Sequence, residues 1–322
     1  MKDDYMLYGL ILAYTNNLGD DIQSLAAKQF LPRVDVILDR DSLNKYEYTK
    51  EIKVIMNGWL THKPKNWPPS SCISPLFISF HITPKAAEKL LRHESVSYLK
   101  KHEPIGCRDF YTKTLLENKG LEAYFSGCLT LTLDYKYKSK KKGEKILLVD
   151  VDKEIVDRIK RLPQISGKIE IITHRYSPPP FSRYGLKRLK KLLPENMRNL
   201  LWKNIAINMI LKKGKKIPVE ERFKRAEEQL QRIATAKLVL TSRLHAALPA
   251  VALGTNVIFI HNNLKDPRFL GLLDYVNHHH ISKFKKIINK FDFDNPPENP
   301  NRDRLEKLKK QMIYNIRKFL EE

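Results

Sequence analysis

The chain is poor in cysteine, and its cysteines show no recognisable pairing. Its 322 residues include only Cys72, Cys107 and Cys128, none of them in a CxxC arrangement. An odd number of cysteines without metal-ligand spacing excludes a disulfide framework and gives no sign of a metal site. We therefore expect a protein of the reducing cytoplasm.

Long apolar runs and targeting signals are also missing. No stretch approaches the roughly 18 uninterrupted apolar residues of a membrane-spanning helix. The N-terminus, Met1–Asp4, is acidic, and the apolar run Leu7–Ala13 is too short for a signal peptide and lacks a small-residue cleavage site. With 42% hydrophobic and 30% charged residues, the chain can bury sizeable cores, and its length fits two domains or one large domain.

Acidic residues are too few to balance the basic ones. The 59 lysines and arginines against 36 aspartates and glutamates give a net charge of +23, which calls for an anionic partner. The chain lacks the signatures of RRM, KH, helix-turn-helix and zinc-finger domains, and its most basic stretch holds few aromatic residues for base stacking. We therefore rank nucleic-acid binding last among three possible functions of the chain, and we expect no nucleic acid partner.

Strand-like and helix-like segments alternate along the chain. Strands are predicted at 7–13, 51–56, 76–81, 145–151, 168–173, 237–240 and 256–260, and helices near Asp20, at 85–92, from Arg108 or Asp109, at 219–234, at 243–253 and at 302–322. Such alternation predicts an α/β protein with parallel sheets and helices on both faces.

A polar, lysine-rich stretch divides this alternation into two halves. We predict two Rossmann-like domains, 1–135 and 145–300, joined by a linker at 136–144 and followed by a C-terminal helix at 301–322. With a cleft between the domains, this is the GT-B arrangement. Ligands in such sheets bind beyond the C-terminal ends of the strands.

Two motifs lie where a predicted strand ends and a predicted helix begins. The first, at 17–23, contains Asn17, Gly19, Asp20 and Asp21; glycine permits a tight turn there, and the helix start offers free N–H groups. A capped turn with Asp20 as N-cap explains it equally well. The second places Arg108 and Asp109 at a helix start, which suits a carboxylate or phosphate but also a surface ion pair.

The third motif is the most informative. After the strand at 237–240, Thr241 or Ser242 can cap the next helix, and Arg243 and His245 then fall in its first turn. A cation at that position opposes the helix dipole unless an anion is bound. The pattern therefore predicts an anion site with a titratable group, the alternative being a solvated helix end.

Together the three motifs resemble those of the polysaccharide pyruvyl transferase family. The family pattern N-x-G-D, R-D-x-x-S/T and S-R-L-H-A appears here at 17–20, 108–112 and 242–246, and a lysine of the family's loop after the last strand falls at Lys265. The chain departs from the family where many members have glycine-rich turns, at Asn57 and Trp59 and again at His81. These departures fall on the half that commonly holds the acceptor sugar.

The resemblance implies transfer of the enolpyruvyl unit of phosphoenolpyruvate to two hydroxyls of one sugar, with release of phosphate and no cofactor or metal. In this scheme His245 supplies a proton, and the donor is bound by Arg108, Arg243, Leu244 and Lys265. The acceptor side would comprise Asn17, Gly19, Asp20, Asp21, Asn57, Trp59 and His81. A GT-B glycosyltransferase that uses a nucleotide sugar in the same cleft is the second functional alternative.

Two further segments allow more than one interpretation. The run at 278–280 consists of three histidines, and we interpret it as a solvated loop rather than a metal site. The basic stretch 186–216 alternates cations with leucines and includes Trp202. It is equally compatible with a solvated helix face and with peripheral contact to an anionic membrane, which would suit a lipid-linked saccharide acceptor.

Overall fold

The computed structural model describes residues 6–139, 141–176 and 217–322. The basic stretch 186–216 and its predicted membrane contact lie outside the described residues. No helix in the described ranges is long and apolar enough to span a membrane.

Two parallel sheets organise the chain, which confirms the predicted α/β class. The first has the order β2-β1-β3-β4-β5-β6, and the second has the order β11-β10-β9-β7-β8. The strands are β1 (Leu7–Leu12), β2 (Val36–Asp39), β3 (Ile52–Trp59), β4 (Ile73–His81), β5 (Ile105–Cys107), β6 (Ala123–Phe125), β7 (Ile146–Val149), β8 (Ile169–Ile172), β9 (Leu238–Thr241), β10 (Asn256–His261) and β11 (Asn277–His280).

Crossover connections join the parallel strands, and most of them contain an α-helix; those from β2 to β3, from β3 to β4 and from β10 to β11 contain only 3₁₀ turns. The helices are α1 (Leu18–Lys28), α2 (Pro84–Leu90), α3 (His93–Lys100), α4 (Phe110–Glu117), α5 (Asp134–Tyr137), α6 (Lys153–Ile159), α7 (Val219–Thr235), α8 (Leu244–Ala252), α9 (Ile281–Ile287) and α10 (Arg302–Glu321). The segment 136–144 begins inside α5. The last helix, α10, returns to the first sheet, where Lys53 Nζ donates a hydrogen bond to the Phe319 carbonyl (2.9 Å).

Strand register brings the C-terminal ends of neighbouring strands to one edge of each sheet. In the first sheet Trp59 pairs with His81, and Phe80 pairs with Cys107. In the second sheet Thr241 pairs with both Val149 and Phe259. The polar residues that follow these strands therefore lie side by side.

Strands β2, β5 and β6 were not predicted, and three expectations about helix starts and the histidine run also differed from the structure. Helix α1 begins at Leu18 with Asn17 as its cap, since the Asn17 side chain accepts a hydrogen bond from the Gly19 amide; Asp20 lies inside the helix. Helix α8 begins after Arg243, because Thr241 and Ser242 direct their hydroxyls to carbonyls of the neighbouring chain segment.

The third difference concerns the three histidines. The segment interpreted as a solvated loop is the edge strand β11, which pairs with β10 from Asn277 to His280. Its alternation of half-buried and exposed residues is that of an edge strand with one face toward the protein.

One hydrophobic cluster spans the two halves, and each half also has a cluster of its own. The largest core cluster contains Leu12 and Ile22 from the first half together with Leu147, Val239 and Ala247 from the second. Helices α1, α7 and α8 lie in this shared core, so the apolar contact between the halves is continuous with the interior of each.

A buried ion pair lies within this junction. Arg222 of α7 donates to both carboxylate oxygens of Asp21 in α1, at 2.8 and 2.9 Å, and neither side chain is exposed. The same guanidinium donates to the carbonyls of Ala13 and Thr15, and the hydroxyl of Tyr176 donates to Asp21. Burial raises the pKa of Asp21 to about 6, which leaves the carboxylate ionised at neutral pH.

Loss of one partner of this pair should strongly destabilise the protein. We expect Arg222→Met to lower the free energy of unfolding in urea by about 3–5 kcal/mol, because the Asp21 charge stays buried without its partner. The control Arg225→Met removes an exposed arginine of the same helix, paired with Glu221, and should cost no more than about 1 kcal/mol. Equal effects of the two substitutions would contradict this account.

Candidate active site

A cleft of about 460 Å³ lies at the C-terminal ends of strands from both sheets. Its walls include residues after β1 (Thr15, Asn16, Asn17), at the ends of β3 and β4 (Trp59, His81), after β5 (Arg108), after β8 (His174, Arg175), after β9 (Ser242, Arg243, Leu244, His245) and at the end of β10 (His261). Loops at such strand ends carry the binding residues of open α/β sheets.

The cleft walls are strongly basic. Four of the described wall residues are arginines (Arg108, Arg175, Arg243, Arg268), whereas Asp20 is the one acidic residue among them. Asp20 accepts a hydrogen bond from the Thr15 hydroxyl and lies 4.0 Å from Arg40. The cleft is therefore suited to an anionic ligand.

The arginines differ in how well the protein compensates their charge. Arg243 donates to Asp150 at 2.7 Å, and Arg268 makes a two-pronged contact with Asp266. Arg108 is 3% exposed, its Nε lies 3.5 Å from Asp109 Oδ2, and no described residue forms a hydrogen bond with that Nε. Because a buried charge is costly without good partners, Arg108 stands to gain most from a bound anion.

His245 lies in the first turn of α8, and its environment holds it in place from two sides. A β-carbon at Gly19 would lie 2.9 Å from the His245 β-carbon, so only glycine lets the start of α1 come this close. His174 Nε2 contacts the His245 carbonyl at 2.9 Å, while His174 Nδ1 contacts the Gln229 amide nitrogen at 3.2 Å. Since that amide nitrogen donates, His174 Nδ1 accepts and His174 Nε2–H donates.

His245 is chemically available within this arrangement. Its Nε2 is buried and has no hydrogen-bond partner within the described ranges of the chain. Burial, followed by the charge of Arg108, lowers the pKa of His245 well below its usual value, so the ring is neutral in the free protein at neutral pH. A bound anion beside Arg108 would raise the pKa again.

A second histidine faces the cleft from the first sheet. His81 ends β4, is fully buried, and places Nδ1 2.5 Å from Asp109 Oδ2. The other oxygen of Asp109 caps α4 by accepting from the amide and the hydroxyl of Thr112. The R-D-x-x-T motif thus supplies Arg108 to the cleft wall, and its Asp109 both caps α4 and contacts His81.

Several of the predicted site residues meet in the cleft, and others do not. Asn17, Asp20, Trp59, His81, Arg108, Arg243, Leu244 and His245 line it, and Gly19 adjoins His245. Asp21 instead belongs to the buried pair with Arg222. Asn57 donates to the Gln23 carbonyl and borders a separate small cavity, and Lys265 lies outside the cleft walls.

Sequence reasoning missed four wall residues that bear on the chemistry: His62, His174, Arg175 and Arg268. His174 and Arg175 follow strand β8, so their position at a strand end was a usable signal. His62 lies in a loop and Arg268 in a 3₁₀ turn, Pro267–Phe269, and neither segment has a recognisable pattern. His62 contacts Asp41 at 3.1 Å and packs its ring edge-on to Trp59, above which the Arg40 guanidinium also lies.

The described parts of the chain contain no group of three His, Cys, Asp or Glu side chains placed to hold a metal ion. The site that they do form is an arginine-lined cleft of an α/β protein, suited to an anionic ligand, in which two histidine nitrogens without a partner among those residues are candidate acid–base groups. The sequence profile of the polysaccharide pyruvyl transferase family matches residues 17–263, most of the chain. The protein belongs to this family.

Similarity to individual proteins is much weaker. A crystal structure of an uncharacterised protein from Klebsiella pneumoniae shares 14% identity at a TM-score of 0.46, covering 82% of this chain and 87% of that one. The wall teichoic acid polymerase TagF shares 10% identity at a TM-score of 0.36, covering 99% and 84%. Neither likeness carries an argument. No curated protein matches the chain significantly.

Proposed function

We propose that the protein is a ketal pyruvyltransferase that uses phosphoenolpyruvate as donor. It moves the enolpyruvyl unit onto two hydroxyls of one sugar in a surface polysaccharide or its lipid-linked precursor, and phosphate is released. The observation that carries the proposal is His245, whose unpartnered Nε2 borders a cleft lined by four arginines. Family membership supports transfer of a pyruvyl group to a polysaccharide.

The proposal assigns the two halves different tasks. We take the sheets as two Rossmann-like domains in the GT-B arrangement, with the acceptor sugar on residues 1–135 and the donor on residues 145–300. The cleft at the strand ends of both sheets supports this division. The reaction would take place in the cytoplasm, at the inner face of the membrane if the acceptor is lipid-linked.

The donor carries a phosphate and a carboxylate, and the arginines match both. Arg108 and Arg243 would bind these groups, because a guanidinium offers two parallel donors to a planar or tetrahedral anion. Leu244 lines the same wall and would pack against the methylene carbon. Lys265 belongs to the loop that follows β10, next to the wall residue His261, and we assign it to the phosphate as an outer cation.

His245 would act as the general acid of the first step. Proton transfer to the methylene carbon of phosphoenolpyruvate makes the adjacent C2 an oxocarbenium-like centre that a hydroxyl can attack. The neutral ring of the free protein has to gain a proton before this step, and a bound trianion beside it favours the imidazolium. The charge of Arg108 and Arg243 stabilises the departing phosphate. No cofactor takes part in this scheme.

Mass spectrometry tests the proposal directly. The enzyme is incubated with phosphoenolpyruvate and a panel of p-nitrophenyl hexosides, and we expect one or more sugars to gain the mass of pyruvate less one water. A glycosyltransferase would instead transfer a hexose from a nucleotide sugar in a parallel incubation. A gain of a hexose with none of pyruvate would overturn the proposal.

Donor binding should depend on both arginines. We expect Arg108→Ala and Arg243→Ala each to weaken phosphoenolpyruvate binding in calorimetric titration, since a charge-assisted hydrogen bond contributes about 1.5–3 kcal/mol. The Arg→Lys variants should restore only part of the affinity, because the two-pronged geometry is lost. Arg304→Ala, which removes an exposed arginine near Asp274, is the control. Unchanged affinity in both alanine variants would remove these residues from the site.

Turnover should depend on the proton of His245. We expect His245→Gln to bind phosphoenolpyruvate within a few-fold of the wild type but to lose about 10²–10⁴ in kcat. Wild-type kcat should fall as the pH rises through the pKa of His245 in the complex, because the acid is then deprotonated, and the variant should lack this dependence. Near-normal turnover of His245→Gln would contradict the assignment.

A further inference from the structure

The His81–Asp109 pair is the buried ionisable cluster of the cleft that the proposed function leaves without a task. His81 is fully buried, yet its Nε2 has no hydrogen-bond partner among the residues that the structure describes, and the residue lines the cleft. A buried polar atom left unpaired costs free energy, so such an atom beside a ligand cleft calls for a partner supplied by the ligand.

The surroundings of His81 fix the direction of its ring. Nδ1 lies 2.5 Å from Asp109 Oδ2 and 3.2 Å from the Thr112 hydroxyl, so the Nδ1 proton faces the carboxylate and Nε2 is left as an acceptor. Asp109 is itself fixed, because its other oxygen caps α4. A carboxylate that orients a histidine so that its far nitrogen can accept a proton is the orienting arrangement of general-base catalysis.

The charges around His81 suit an acceptor of protons. Burial, reinforced by Arg108, lowers the pKa of His81 to about 4, and Arg268 acts in the same direction, whereas Asp109 acts against them. Burial raises the pKa of Asp109, but the contact with His81 and the charge of Arg108 outweigh it and hold the carboxyl ionised. The ring is therefore neutral in the resting protein, and Asp109 stabilises the imidazolium once a proton arrives.

We propose that His81 is the general base that takes the protons of the attacking sugar hydroxyls, with Asp109 as the residue that positions it. The inference rests on the proposed function and adds a second proton-transfer group on the acceptor side of the cleft. His245 lies on the donor side, close enough that charge on His81 lowers its pKa. The two histidines thus divide the proton transfers between donor and acceptor.

The proton balance of the reaction needs such a base. Protonation of the methylene carbon breaks the carbon–carbon π bond, and the first hydroxyl oxygen then bonds to C2 while its proton moves to His81 Nε2. The bond from C2 to the phosphate oxygen breaks with its electron pair on phosphate, which takes the proton from His81 and leaves as hydrogen phosphate. His81, neutral again, accepts the proton of the second hydroxyl as that oxygen bonds to C2, and release of this proton to solvent balances the one that His245 regains. Of the two hydroxyl protons, one balances the proton gained by carbon and the other leaves with hydrogen phosphate.

Two substitutions test the pair from different sides. His81→Gln removes the base, and Asp109→Asn removes the charge that orients it but keeps a good helix cap, so the second variant should fold even if the first does not. The control, His102→Gln, makes the same His-to-Gln change in the same half of the chain. His102 packs on Phe77 and Tyr98 and lies outside the cleft walls. Transfer to the best p-nitrophenyl hexoside, phosphoenolpyruvate affinity and melting temperature are measured for each.

We expect both site variants to lose about 10²–10⁴ in kcat while donor affinity stays within a few-fold of the wild type. Asp109→Asn should bind phosphoenolpyruvate at least as tightly as the wild type, because it removes a negative charge beside Arg108. Wild-type kcat should fall toward acid pH as the base becomes protonated, and His81→Gln should lack that decline. His102→Gln should match the wild type throughout.

Each outcome bears on the inference. Near-normal turnover of a folded His81→Gln or Asp109→Asn would overturn it, and so would a loss of donor affinity without a loss of kcat. If the wild type transfers pyruvate and the site variants transfer it equally well, only the proposed role of the His81–Asp109 pair is rejected. Failure of the wild type to transfer pyruvate to any sugar of the panel would reject the proposed function and this inference with it.

Discussion

The buried pair between Arg222 and Asp21 is the interaction on which the geometry of the cleft depends. It joins α7 of the second half to α1 of the first, and the same guanidinium binds the carbonyls of Ala13 and Thr15. Those carbonyls belong to the turn that leads from β1 into the cleft wall. One ion pair thus fixes both the contact between the halves and the loop that carries Asn17.

The shared core explains why the ion pair between Arg222 and Asp21 needs many hydrogen-bond partners to offset the free-energy cost of burying its charges. The apolar contact around α1, α7 and α8 excludes water, so a charge introduced there needs a complete set of partners. Arg222 has them in Asp21 and two backbone carbonyls. In the cleft, by contrast, Arg108, His81 and His245 each have a nitrogen without a hydrogen-bond partner among the described residues. The protein satisfies its polar groups fully at the junction and incompletely at the site.

The sequence predicted much of the site because its motifs follow strand ends. Asn17 and Gly19, Arg108 and Asp109, and Arg243 and His245 each sit where an apolar run stops, and parallel strands bring such points to one edge. The pairing of Asp21 with Arg222 could not be predicted, since 201 residues separate them. Arg222 looks like an ordinary surface charge of a helix, and the motif around Asp21 indicated a place on the acceptor side. The tautomer of His174 and its contact with the His245 carbonyl also arise only from tertiary packing.

Fold details were less predictable where local signals compete. Strands β5 and β6 have three residues each, too few for a period to emerge. Asn17 caps α1 although Asp20 is as good a capping residue, because its position relative to β1 decides which side chain reaches the free amides. The three histidines of β11 are poor strand formers by composition, and pairing with β10 makes them a strand nonetheless.

The return of α10 to the first sheet has a consequence for the order in which the chain can fold during synthesis. Lys53 is nearly buried and donates to a carbonyl that lies 266 residues further along the chain. Asn315 of the same helix reaches the hydroxyl of Tyr124, in the last strand of that sheet. The first sheet is synthesised early, but the surface that α10 covers stays exposed until this last helix has been made. A nascent chain paused in the second half therefore exposes an unfinished surface, to which chaperones can bind.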